Sequence, residues 1–228
     1  MVPYTHKENT ALKVIKMVGY WDYTVILTYM SVASSLVGIC LATQEIFIGA
    51  MGCLLLSGLC DMFDGMVART KKNRTEPEKK FGIQLDSLAD VICFGAFPAM
   101  MGYTLCKETV LWLPSVIVGV IYVLAAIIRL AYFNVTEEIR QQETKEKRKN
   151  YEGLPVTTIA LILPTLFCTK GLLKEGFGLA YIIVLFLVAL AFVIKFKVKK
   201  FGKTGSIVMV IIGILLFAIL LTLQIAGL

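Results

Sequence analysis

The sequence predicts an all-α polytopic membrane protein, a bundle of about six to seven transmembrane helices with an N-terminal interfacial amphipathic helix. Three observations predict it. The chain is 57% hydrophobic, with a mean hydropathy of +0.78, too apolar for an ordinary soluble domain. Seven apolar runs recur, at 23–42, 46–68, 83–105, 110–134, 154–169, 177–196 and 206–228. Each approaches the ~20 residues needed to cross a hydrocarbon core of ~30 Å, with 154–169 short. Between the runs, basic residues gather on alternate sides, as expected when cytoplasmic loops retain Lys and Arg.

Residues 1–22 form a juxtamembrane segment. Within 10–21, Ala11, Leu12, Val14, Ile15 and Val18 stand against Lys13 and Lys16, with Tyr20 and Trp21 following, the pattern of a helix lying in the interface. The first two spans come next, and Arg69 opens a basic polar loop, 70–81, in which Pro77 reads as a helix breaker. The third and fourth spans are followed by a polar linker, 136–152, expected as cytoplasmic helix or loop. The last three runs complete a single membrane domain, 1–228, without internal repeats.

The net charge of +7 is distributed as a membrane protein distributes it. Lys and Arg cluster at Lys7, Lys13 and Lys16, in 69–80, 140–149 and 195–203, while the alternate loops carry Lys107, Lys170 and Lys174. This puts the N-terminus in the cytoplasm and, with seven spans, the C-terminus outside. The basic loops are expected to face anionic headgroups, with no nucleic-acid module. The six cysteines are scattered through apolar runs and read as small buried hydrophobes. His6 is the single histidine and lies in a polar stretch, which argues against a histidine metal site or base. The first residues lack a signal-peptide core and cleavage site.

Asp61, Asp64, Asp86 and Asp90 are the informative exception to this apolar composition. An ionised carboxylate in or near a bilayer costs several kcal/mol unless it is paired, solvated or bound to metal. Asp61, Asp64, Gly65 and Ala68 fall at i, i+3, i+4 and i+7 and share one helix face, as do Gly82, Asp86 and Asp90 at spacings of four. Antiparallel packing brings the four carboxylates to a common depth, with Asp61 and Asp90 about 12 Å from the cytoplasmic helix ends. Hard oxygen ligands select Mg²⁺, Mn²⁺ or Ca²⁺ over zinc, and about two divalent ions would neutralise the cluster. Two metals suit phosphoryl chemistry, Gly65, Ala68 and Gly82 clear room for a nucleotide, and Arg69 adds a charge suited to phosphate. A lone intramembrane Asp serves more often in a structural pair or an ion path, and a lone Gly in helix packing; neither explains eight identities in register across two spans.

The pattern Asp61-x2-Asp64-Gly65-x2-Ala68-Arg69 followed by Gly82-x3-Asp86-x3-Asp90 resembles the signature of the CDP-alcohol phosphotransferase family. The resemblance covers roughly 20–200, with a spacer between Arg69 and Gly82 longer than that family's usual eight residues. Three further segments resemble the phosphatidylserine synthase subfamily: Gln84 to Ala99, Arg129-Leu130-Ala131-Tyr132-Phe133-Asn134, and Tyr151-Glu152-Gly153-Leu154-Pro155. Tyr132 stands where the subfamily carries a second Arg, and Thr28 and Ser31 occupy a region of the first span where it carries an Asn.

The resemblance implies that Asp61, Asp64, Asp86 and Asp90 bind the metal, Mg²⁺ or Mn²⁺, with Asp90 also the general base. Gly65, Ala68, Arg69 and Gly82 would form the CDP-binding surface, and Arg129 and Asn134 would bind the amino acid or the lipid phosphate. Arg129 has an alternative role as structural counter-ion to a carboxylate. The implied reaction makes phosphatidylserine and CMP from CDP-diacylglycerol and L-serine, in a homodimer. A prokaryotic plasma membrane is expected, with the site near its cytoplasmic face, because the chain is compact and starts at its membrane core. Two alternatives stand: a synthase whose acceptor is glycerol-3-phosphate or an inositol phosphate, and a cation-coupled transporter using the carboxylates as an ion path. The first calls for more basic residues than Arg129, and the second for split helices and inverted repeats.

Overall fold

Within a bilayer each backbone N–H and C=O must be satisfied inside the protein, and a helix does this within one segment. The apolar runs accordingly fold as helices in a computed structural model that describes residues 18–144, 150–199 and 203–225. The predicted interfacial helix at 10–21 lies outside the described residues apart from its last four positions, and so do His6, Lys7, Lys13 and Lys16.

A turn of 3₁₀ helix, Tyr23–Val25, capped by Asp22, leads into α1 (Ile26–Thr43), which turns back into α2 (Phe47–Ala68). Small residues let these two helices approach, and hydroxyls join them. Ser35 Oγ and Ser57 Oγ lie 2.8 Å apart, Ser31 Oγ donates to Ser57 O at 3.2 Å, and Ser57 Oγ donates to Ser31 O at 3.0 Å.

The third span differs from the sequence expectation at its start. α3 (Glu76–Asp90) begins inside the stretch expected as loop, and Pro77 belongs to its first turn. Proline lacks an N–H, but the first-turn N–H groups have no intrahelical acceptor, so it starts this helix instead of breaking it. Thr75 caps it: its side chain accepts from Glu78 N, and Glu78 Oε2 accepts from Thr75 N at 2.7 Å. The loop proper is therefore shorter than 70–81 by half a dozen residues.

α3 continues through a π-helical turn, Val91–Ala96, into α4 (Phe97–Cys106). Pro98 cannot donate to the carbonyl four residues back, and there the Tyr122 hydroxyl donates to Phe94 O at 2.6 Å. Tyr122 comes from α5 (Trp112–Glu143), whose 32 residues rise about 48 Å, well beyond a hydrocarbon core. The expected linker 136–152 is thus helical up to Glu143.

Beyond it, β1 (Asn150–Glu152) pairs antiparallel with β2 (Lys197–Lys199), a ribbon the sequence reading lacked. Three-residue strands are too short to print an alternating pattern. Six helical segments are long and apolar enough to cross a membrane among the described residues. The predicted run 154–169 is not one of them: its apolar helix, Val156–Phe167, joins a 3₁₀ turn to α6 (Ile159–Phe167) and is shorter. After α7 (Lys170–Leu173), α8 (Phe177–Val193) packs against α5, and α9 (Lys203–Ile225) lies outermost against α2 and α6. The core joins α2, α4, α5, α6 and α8 around Met51, Leu54, Phe97, Tyr122, Leu163 and Tyr181. All six cysteines are free thiols.

Candidate active site

The polar halves of α2 and α3 bring the aspartates together, because each helix repeats its carboxylates at three- or four-residue spacing on one face. Oxygens of Asp61, Asp86 and Asp90 lie within 4.8 Å of one another. Asp64 stands at the edge of this group, its carboxyl beside that of Asp86, as the carboxyl of Asp61 is beside that of Asp90. Asp64 and Asp90 are buried, Asp61 and Asp86 half-buried. Thr28 on α1 donates its hydroxyl to Asp64 Oδ2 at 3.1 Å and fixes the rotamer of that carboxylate. The π turn follows Asp90 directly, so the helix geometry changes where the last carboxylate leaves the cluster.

Among the described residues, no Lys or Arg forms a salt bridge with any of the four. Carboxylates this close in a low-dielectric setting repel strongly unless a cation or shared proton lies between them. The donor set is all hard oxygen, without His or Cys, and fits Mg²⁺ or Mn²⁺.

The two glycines of the motif differ from each other. A Cβ built on Gly65 meets nothing within 4 Å, so the α2 face beside Asp64 opens on free space. A Cβ on Gly82 would come within 2.6 Å of Arg74 Nη2, so a guanidinium covers that position. Arg69, the C-cap of α2, is exposed, and Ala68 is half-buried.

The two residues expected on the acceptor side lie in different surroundings. Arg129 is buried, and its guanidinium donates to the carbonyls of Leu154 (3.1 Å) and Gly153 (3.4 Å), tying α5 to the entry of α6. Asn134 Nδ2 donates to Ser87 Oγ at 2.7 Å, one residue along α3 from Asp86. Tyr132 donates to Glu152 Oε2 at 2.8 Å, with Lys195 Nζ 4.8 Å from its ring centre. Arg129, Tyr132, Glu152 and Lys195 line a small cavity of about 100 Å³.

Sequence reasoning noted Thr28 only as an occupant of the region where the subfamily carries an Asn, and the loop after Arg69 only as basic, polar and long. A hydroxyl in a span reads as helix-packing polarity, and nothing along the chain links Thr28 to an Asp on the next helix. The loop is tied down by Lys71, whose ammonium reaches Asp22 Oδ2 and Glu78 Oε1, each at 2.9 Å, and by the Tyr23 and Thr70 hydroxyls, 3.0 Å apart. The Thr24 hydroxyl and then the Lys71 ammonium hold the Asp22 carboxyl down at about 2.

The CDP-alcohol phosphatidyltransferase family pattern matches residues 23–227. The chain is 38% identical over 126 residues to the CDP-diacylglycerol–serine O-phosphatidyltransferase of Saccharomyces cerevisiae, covering 54% of this chain and 43% of the relative. It is 32% identical over 144 residues to the archaetidylserine synthase of Methanothermobacter thermautotrophicus (63% and 57% covered). To the CDP-diacylglycerol–serine O-phosphatidyltransferase of Helicobacter pylori it is 29% identical over 138 residues (60% and 54%). The chain spans about half the length of the curated relatives it matches.

Proposed function

The chain belongs to the CDP-alcohol phosphatidyltransferase family, and on that premise we propose that it transfers the phosphatidyl group of CDP-diacylglycerol to the hydroxyl of L-serine, releasing CMP. The observation that carries this reading is the convergence of Asp61, Asp86 and Asp90 within 4.8 Å beside the open face at Gly65. The three relatives named above support serine as the acceptor, since each carries it in its name.

Asp61, Asp86 and Asp90, with Asp64 at their edge, are the residues to hold Mg²⁺ or Mn²⁺, one or two ions. When bound, such ions withdraw charge from the pyrophosphate oxygens and stabilise the departing CMP. Asp90 accepts the serine hydroxyl proton as that oxygen bonds to the phosphorus carrying diacylglycerol. The bond from that phosphorus to the CMP oxygen breaks, and CMP leaves with the electron pair. Thr28 orients Asp64 through its hydrogen bond. Gly65, Ala68, Arg69 and Gly82 form the surface for the CDP moiety. A serine hydroxyl is a weak nucleophile, so orientation and electrostatics supply most of the acceleration.

Asn134, bonded to Ser87 beside Asp86, borders the acceptor side, while Arg129 acts as a positioning residue that fixes the 153–154 backbone. That engagement of Arg129 favours serine over an acceptor carrying its own phosphate, which needs free cationic groups. We place the enzyme as a single membrane domain, working as a homodimer in a prokaryotic plasma membrane with its site near the cytoplasmic face. The test is transfer of labelled L-serine into a lipid-extractable product by the purified protein with CDP-diacylglycerol and Mn²⁺. Label in lipid that disappears on chelation is expected; folded protein that transfers none contradicts the proposal.

A further inference from the structure

The long segment between Arg69 and Gly82 places a cation where the metal-binding pattern alone puts none. Arg74 lies just before the Thr75 cap of α3, folded back along that helix so that its Nη2 donates to Glu78 O at 3.1 Å. Its guanidinium covers Gly82, the position that leaves room for it by lacking a side chain. Its Nε is buried and finds no hydrogen-bond partner among the described residues. The neighbouring carboxylate does not serve it: Glu78 is occupied by Lys71 through Oε1 and by the Thr75 backbone and hydroxyl through Oε2. Burying a guanidinium donor unpaired costs stability, and an anion arriving beside it removes that cost.

Gly82 is four residues before Asp86 on α3, about 6 Å along the helix axis toward its polar end. A nucleotide-linked lipid anchored at the carboxylates has only one direction for its polar half. Its acyl tails belong in the hydrocarbon, so ribose and base run outward along the Gly82 side, with a phosphate between them and the cluster. A planar guanidinium with unused donors is the side chain best matched to phosphate oxygens.

We propose that Arg74 is a substrate-binding residue that donates to a phosphate oxygen of the nucleotide half of the CDP-linked substrate, and of CMP as product. The proposal rests on the CDP-dependent reading above and deepens it.

The experiment is CMP binding by calorimetry to the purified full chain in Mn²⁺, for wild type, Arg74→Gln and Arg74→Lys. KM values for CDP-diacylglycerol and L-serine are measured alongside. Arg74→Gln is two bonds shorter, keeps a terminal NH₂ donor and removes the charge. Its CMP dissociation constant is expected to rise about tenfold or more, with part of the affinity restored in Arg74→Lys. KM for CDP-diacylglycerol should rise with it while KM for L-serine stays put. Unchanged CMP affinity in Arg74→Gln overturns the proposal. So does tighter binding, which would make Arg74 a cover that the nucleotide must displace, or an equal rise in both KM values, the mark of a structural role. Wild-type protein that binds no CMP overturns the underlying functional reading instead, and separates the two failures.

Discussion

Replacing Gly65 with alanine should separate stability from ligand binding. At several other helical glycines the substitution collides with the fold: an added Cβ would stand 2.4 Å from Phe97 Cζ at Gly38, 2.7 Å from Ala160 Cβ at Gly58 and 2.7 Å from Phe217 Cε2 at Gly52. At Gly65 it meets nothing within 4 Å, and the position lies inside α2, three residues from its end. The only folding term left is backbone entropy, which favours alanine in a helix by roughly 0.5–1 kcal/mol, toward the lower end this close to the terminus. If the open face receives the nucleotide, the methyl group occupies space the ligand needs. Overpacking by one methyl costs roughly 1–3 kcal/mol, or about 5- to 150-fold in affinity. Thermal unfolding in detergent and CMP calorimetry on the same preparation read the two terms separately. Higher stability with weaker CMP binding is expected. Unchanged CMP affinity would refute the assignment of this face to the nucleotide, and a loss of stability would show that the face is filled.

Asp90→Asn keeps the shape of the side chain and removes the proton acceptor, so kcat should fall by about 10²- to 10⁴-fold while CMP binding largely survives; normal turnover would sink the assigned role. Thr28→Val removes the hydroxyl that holds Asp64 and should weaken Mn²⁺ binding by about tenfold, read by electron paramagnetic resonance of free Mn²⁺. Tyr122→Phe leaves Phe94 O without its donor in the π turn and should cost about 1–3 kcal/mol in denaturant unfolding, with CMP affinity little changed. The Asp22 carboxyl is lowered to about 2 from an ordinary value near 4, so the unfolded chain takes up its proton first. Its bonds to Thr24 and then Lys71 should therefore contribute fully above about pH 4 and fade as pH falls toward 2. Amide exchange of the 70–75 segment, compared with Asp22→Asn, should show a protection difference that closes over that window.

Much of this was legible in the chain because membrane helices announce themselves by length and polarity, and because Asp61, Asp64, Asp86 and Asp90 violate that polarity at helical spacing. The convergence of three of them arises where α2 and α3, both packed on α1, turn their carboxylate faces toward each other. What stayed hidden depends on contacts between distant segments. Pro77 reads as a breaker until the Thr75–Glu78 cap shows it inside a first turn, where a missing N–H costs nothing. The π turn requires a hydroxyl from Tyr122, twenty-eight residues away, to satisfy a carbonyl. Arg129 could equally face a carboxylate, a ligand or backbone, and only the fold of the 153–154 segment puts two carbonyls in its reach. Arg74 carried no signal as one basic residue in a basic loop; its meaning comes from Gly82 beneath it.

The most direct test of the central claim is CMP release by the purified protein with CDP-diacylglycerol and Mn²⁺ or Mg²⁺, comparing L-serine, glycerol-3-phosphate and an inositol phosphate as acceptors. Release that depends on L-serine and on the metal is the predicted result. Release with a phosphorylated acceptor and not with serine would keep the carboxylate site and contradict the acceptor assignment; no release from folded protein with any acceptor would contradict the enzyme itself.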